Sequence, residues 1–88
     1  MEIKIATRHW EDDLGRPRRF HYFLTVDPID TGRFFCENYG VRISEDGGES
    51  RTVPGITVSA MRIDELMTML VEHQVSPSAL SDVVADWL

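Results

Sequence analysis

Three histidines, a run of acids, one cysteine and a cluster of arginines are the residues of this chain whose types could do chemistry. His9, Glu11, Asp12, Asp13 and His21 would converge if the first two extended segments paired as a hairpin. Two imidazoles and a carboxylate form a ligand set that zinc or iron accepts. No HExxH or CxxC spacing accompanies them, and ligand type without spacing equally describes a solvated turn between two strands. His9, His21, Asp12 and Asp13 are therefore weak metal candidates, and the sequence calls for no cofactor. His73 falls near the end of a helical stretch, where a cation is favoured by the helix dipole.

Cys36 is the only thiol and sits among Phe34, Phe35 and Glu37. Apolar and acidic surroundings both raise a thiol pKa, so a small buried hydrophobe is expected here rather than a nucleophile. No GxSxG and no GxxxxGK occurs. Ser76, Ser78 and Ser81 are explained by capping and helix surface, and Asp82 and Asp86 flank an apolar helical stripe. No catalytic residue is assigned. Arg16, Arg18 and Arg19 run into Phe20, His21 and Tyr22, with Arg8 across a hairpin. Basic residues interleaved with aromatics can hold single-stranded nucleic acid, and the arginine fork also suits carboxylates.

The elements that would position these groups follow from periodicity. Residues 2–8 alternate, with Ile3 and Ile5 on one side, as in a half-buried strand. EDDLGRP at 11–17 reads as a turn. In residues 19–26, Phe20, Tyr22, Leu24 and Val26 share a face, and Asp27-Pro28 through Gly32 should break the strand. Residues 33–44 read as a third strand, with a bulge expected near Glu37-Asn38. Asp46-Gly47 marks a hairpin turn, and Pro54-Gly55 makes 51–58 an irregular or edge strand.

From Ser59, a plausible N-cap, the spacing becomes helical. Ile63, Leu66, Met67 and Leu70 form one stripe, with Asp64 and Glu65 near the N-terminal end. Ser76-Pro77 opens a second helix, capped by Ser, in which Leu80, Val83, Val84, Trp87 and Leu88 recur at helical spacing. The expected fold is α+β: an antiparallel four-stranded meander followed by two C-terminal helices packed on one face, ββββαα. One domain over 1–88 is expected, with strands within about 2–58 and helices at about 60–73 and 77–88.

The aromatic strand RFHYFLTV, the ENYGVRI segment at 37–43 and the tail VSPSALSDVVADWL at 75–88 together carry a resemblance. The chain resembles an uncharacterised family of very short bacterial proteins with a Tyr-Gly-Val/Ile strand and a closing Ser-Pro, Leu, Asp-Val, Asp-Trp helix. Ser76-Pro77, Leu80, Asp82-Val83 and Asp86-Trp87 are its most specific part. The resemblance implies a single cytoplasmic domain and no substrate.

Composition bounds the partners. The net charge is −6 over 88 residues. Residues 1–44 hold seven basic and seven acidic side chains, whereas residues 45–88 hold two and eight. An acidic half repels phosphate backbones, which makes nucleic acid an unlikely partner. A lone cysteine excludes a disulfide scaffold, and no stretch is apolar enough for a leader or a membrane span. The cytosol is the expected location. Trp10, Trp87, Met61 and Met69 either finish the core or form an exposed patch of the kind found at interfaces.

The leading expectation is thus a small non-enzymatic interaction module, acting as a homodimer or adaptor. Trp10, Arg16, Arg18, Arg19, Met61, Met69 and Trp87 are its candidate contact residues. A small-ligand or metal-binding protein built on His9, His21 and Glu11–Asp13 is the alternative. Weak nucleic-acid binding through Arg16–Arg19 is third.

Overall fold

The computed structural model describes residues 1–30 and 32–88. Four antiparallel strands, β1 (Glu2–Glu11), β2 (Pro17–Asp30), β3 (Phe35–Glu45) and β4 (Ser50–Thr57), form one sheet in the order β1-β2-β3-β4. Helix α1 (Ala60–Glu72) follows, then a 3-10 turn (Pro77–Ala79) that runs into α2 (Leu80–Trp87). The expected ββββαα meander is the observed fold.

One sheet face carries both helices. On it Tyr22 of β2 faces Ile43 of β3, Leu24 faces Val41, and Phe20 faces Glu45. Phe20, Tyr22, Val26, Val41 and Ile43 are buried there against Ile63, Leu66, Met67 and Leu70 of α1 and Leu80 and Val84 of α2. The α1 stripe is the one that the 3.6-residue period marked out. In α2, Val83 and Trp87 are half-buried and Leu88 is exposed.

Two register shifts set the shape of the sheet. In β1, Lys4 faces Phe23 but Ala6 faces Tyr22, so Ile5 is an extra residue. After this bulge the faces of β1 switch parity. Ala6, Arg8 and Trp10 take the helix side, and Thr7, His9 and Glu11 the open side. Between β3 and β4, Tyr39 faces Thr57 and Val41 faces Val53. The surplus residues lie in β4 around Pro54-Gly55, as an edge strand tolerates. Gly40 sits opposite this irregularity, where a Cβ would lie 2.5 Å from the Val53 carbonyl oxygen and 2.7 Å from Pro54 Cα. The backbone of β4 packs where a side chain would be, so only glycine fits.

Three local expectations are corrected. First, β2 does not break at Asp27-Pro28; it continues to Asp30. Val26 N–H donates outward to Met1 O, so Pro28, two residues on, aims its nitrogen past the start of β1, where a donor is not needed. Second, Asp27–Asn38 and Pro28–Glu37 pair in unbroken register, so there is no bulge at Glu37-Asn38. Cys36 therefore stays on the open face beside Ile29, half-buried and outside the core.

Third, the helix ends differ in detail. Ser59 caps α1 as expected, its hydroxyl accepting from Arg62 N–H at 3.2 Å. No acid lies in the first turn of α1, and Ser76 makes no side-chain cap to a backbone N–H; its hydroxyl pairs instead with Ser78 Oγ at 3.2 Å, and Pro77 opens a 3-10 turn. His73 is the C-cap of α1.

The β2–β3 hairpin outruns its neighbours. The last β1 contact to β2 is at Val26, and the last β4 pairing to β3 is at Tyr39. Residues 27–30 and 35–38 continue as a two-stranded arm, which gives the molecule its 55 × 23 × 17 Å extents.

Candidate functional site

The residues singled out from the sequence around the β1–β2 turn are divided: His9, Trp10, Glu11, Arg18 and Arg19 line one shallow cavity with Pro17 and Asp46, whereas Asp12 and His21 are held by other partners. Asp12 is the staple of the turn. Its Oδ1 accepts from Leu14 N–H at 3.0 Å and Arg16 N–H at 2.9 Å, and its Oδ2 accepts from Arg16 Nε at 3.2 Å. The Arg16 backbone donor, followed by that of Leu14 and the guanidinium charge, holds the Asp12 carboxyl below its ordinary pKa. His9 faces Arg19, and His21 faces Thr7. The partner of His21 is Asp46 of the β3–β4 turn, not the acids at 11–13: Nε2 lies 2.7 Å from Asp46 Oδ1, and Nδ1 lies 3.2 Å from Thr7 Oγ1. Among the described residues, no group of three or more His, Cys, Asp or Glu is arranged to hold a metal ion.

The arginines are separated by strand alternation. Arg16 is in the turn, Arg18 points to the helix side opposite Trp10, and Arg19 to the open side opposite His9. Each has a carboxylate. Arg18 grips Glu45 through both Nε and Nη2, Arg19 lies 3.6 Å from Asp46, and Arg16 holds Asp12. The Glu45 hydrogen bond raises the Arg18 pKa further above its ordinary value. Arg18 also stacks over Trp10 and Phe20, at 6.0 and 5.7 Å from their ring centroids.

The tryptophans and one methionine finish the core. Trp10 meets Phe20 edge to face at 4.6 Å. Trp87 lies under Arg62, 4.2 Å from its ring centroid, and Met69 packs against the core. Met61 alone of the four is exposed, at 73%.

On the open face, Thr7, His21, Asp46 and Arg19 form a polar chain across β1, β2 and the β3–β4 turn. Beside it, Arg42 covers Phe23 at 4.0 Å and donates to both oxygens of Glu2 at 2.8 and 2.9 Å. That fork lowers the Glu2 pKa from its ordinary value. The hydroxyl–imidazole–carboxylate order of Thr7, His21 and Asp46 has the partners of a nucleophile relay. It lies on the exposed sheet face, with Thr7 on the edge strand β1, His21 on β2 and Asp46 in the β3–β4 turn. Side-chain pairs of this kind across strands stabilise a sheet.

Sequence reasoning missed two surfaces. One is the tip of the arm, where Phe34 and Phe35 are 63% and 65% exposed next to Arg33. The signal was present as Arg-Phe-Phe directly after a turn glycine. The other is a groove between β1 and α1, lined by Ile5, Leu24, Tyr39, Ile63 and Met67, with Asp64 on its rim. It continues along α1 past Val71 to Glu72. The β1 bulge, which had no signature in the strand pattern, places Ile5 in its wall.

These features define an α+β fold with a covered sheet face, a polar open face and an apolar projecting hairpin. The chain belongs to DUF6514, a family of unknown function, whose model matches residues 1–88. No curated protein and no solved structure matches it significantly. No described helix is long and apolar enough to cross a membrane.

Proposed function

We propose that this chain is a non-enzymatic protein-interaction module and that its contact surface is the β2–β3 arm. One observation carries the reading: a two-stranded arm projects past both neighbouring strands and holds Phe34 and Phe35 out in solvent. An isolated two-stranded hairpin is marginal in water, and contiguous exposed apolar surface marks interaction sites. The core does not need these rings, since Phe20, Tyr22 and Ile43 fill it without them. Of the contact residues expected from sequence, Trp10, Trp87 and Met69 are engaged in packing and Arg16, Arg18 and Arg19 in ion pairs. The surface therefore moves from that set to the arm. A bacterial cytoplasm suits a chain whose one cysteine lies half-exposed on this arm.

The test is affinity capture from nuclease-treated native lysate containing untagged chain, with wild type and a Phe34→Ser/Phe35→Ser variant as baits. The expected result is a protein, either foreign or the untagged chain, retained by wild type and lost from a variant that melts within a few degrees of it. Equal recovery by both baits, or no recovery by either, overturns the reading.

A further inference from the structure

We infer that the partner of the arm is a second copy of this chain, in a two-fold clasp in which each tip seats in the other copy's β1–α1 groove. The inference rests on the interaction-module reading and assigns its partner and its receptor surface.

Chemistry matches the two surfaces. The tip offers two phenyl rings flanked by Arg33. The groove, about 510 Å³ counting its open side, offers Ile5, Leu24, Tyr39, Ile63 and Met67, and Asp64 and Glu72 stand along its length. Arg33 is the cation that the acids of the groove would meet, while Asp30, the cross-strand partner of Phe35, and Glu37 put two carboxylates on the same face of the arm. Arg33 and Asp64 are both exposed, so each is open to a new partner.

Geometry excludes the chain's own tip and admits another's. Phe35 lies on the helix-side face with Tyr39, because the β2–β3 register runs unbroken between them. Four extended residues separate the two by about 13 Å, so a tip cannot fold back into its own groove without unzipping the hairpin. A second copy, antiparallel and displaced by that length, brings each Phe35 over the other's groove. Both contacts then form by one symmetry operation, and the assembly closes at two copies.

The area reaches the lower bound when all four rings are covered. With about 200 Å² for a whole phenylalanine, the exposed parts of four rings and the walls they cover amount to on the order of 1,000 Å², the lower bound for a specific interface.

Sedimentation equilibrium of the full chain from micromolar to several hundred micromolar tests the clasp. Wild type is expected as a monomer–dimer system with no higher species. Phe35→Asp at the tip and Ile5→Asp in the groove, both at exposed positions, are each expected to be folded monomers by circular dichroism. Their mixture should recover a heterodimer, since one copy keeps its tip and the other its groove. Arg33→Glu and Asp64→Arg should each weaken the dimer several-fold, and the double variant should regain most of the loss.

A wild type that stays monomeric throughout overturns the clasp. So does a dimer indifferent to Phe35→Asp and Ile5→Asp, which would point to pairing through the β1 edge. So does failure of the two variants to complement. A monomeric wild type whose arm still captures a foreign protein defeats this inference alone; the loss of both defeats the module reading as well.

Discussion

Tyr22 ties the two layers of the molecule together. Its ring is fully buried under the helices, and its hydroxyl donates to the Val75 carbonyl oxygen at 2.9 Å, at the turn between α1 and the 3-10 segment. Burial pushes its pKa up to about 12 from an ordinary 10.0. The neutral phenol is the form that the fold binds. Its stabilisation is complete below pH 10, where the unfolded chain also holds the proton, and declines as the pH rises towards 12. Tyr22→Phe should lower stability by about 1–2 kcal/mol, the cost of a buried carbonyl left without its donor. The variant should also lose less stability than wild type between pH 10 and 12. Urea midpoints at pH 7 and across the alkaline range check both. A hydrophobic alternation placed Tyr22 in the core, but Val75 is 53 residues away and no pattern along the chain names it.

At the scale of elements, the end of α1 departs from common usage. His73 is the C-cap, and Gln74 takes φ 49°, the left-handed position that glycine or asparagine normally fills. Gln74 N–H donates to Val71 O at 3.2 Å and Val75 N–H to Leu70 O at 3.0 Å, the paired bonds of a Schellman motif. Buried Val75 and Leu70 supply its apolar contact. A residue with a Cβ is strained in this conformation. Gln74→Gly should therefore raise stability by roughly 0.5–1 kcal/mol, the strain relieved outweighing the entropy of the unfolded glycine. A rise in the thermal midpoint of a few degrees is the expected reading. The strain is tolerated because the chain must turn sharply there to lay Leu80 and Val84 on the same sheet face as α1.

At the scale of the whole molecule, the covered layer and the arm should differ in dynamics. The sheet around Tyr22 and Ile43 is buried by both helices, whereas residues 27–30 and 35–38 pair with each other beyond the helix layer, with Asn38 meeting β4 at Gly55. Local opening follows local burial. Amide exchange at Asp27, Ile29, Cys36 and Asn38 should slow as protein concentration rises, because the clasp covers the arm. Exchange at Tyr22 and Ile43 should keep its rate. Hydrogen exchange read by NMR at two concentrations checks the contrast, and arm protection independent of concentration counts against self-association.

Much was legible from sequence alone. Helix stripes and strand alternation report which residues want burial, so element order, the α1 face and the Phe20–Val26 face were all determined locally. Partners across the sheet were not. His21 was grouped with the acids at 11–13 on the expectation of a β1–β2 hairpin; the hairpin forms, but its register sets His21 opposite Thr7 and within reach of Asp46. Arg16, Arg18 and Arg19 look like one basic patch until a period of two sends Arg18 and Arg19 to opposite faces. The Ile5 bulge, which reverses the parity of β1, left no mark because an extra residue changes pairing without changing composition. Sequence alone determined the stripe that α1 buries and the face that β2 buries, since those depend on side-chain type and local period. Only the tertiary structure decided which segments end before others. The arm exists because β1 and β4 stop short of it, and strand length relative to a neighbour is a property of the assembled sheet.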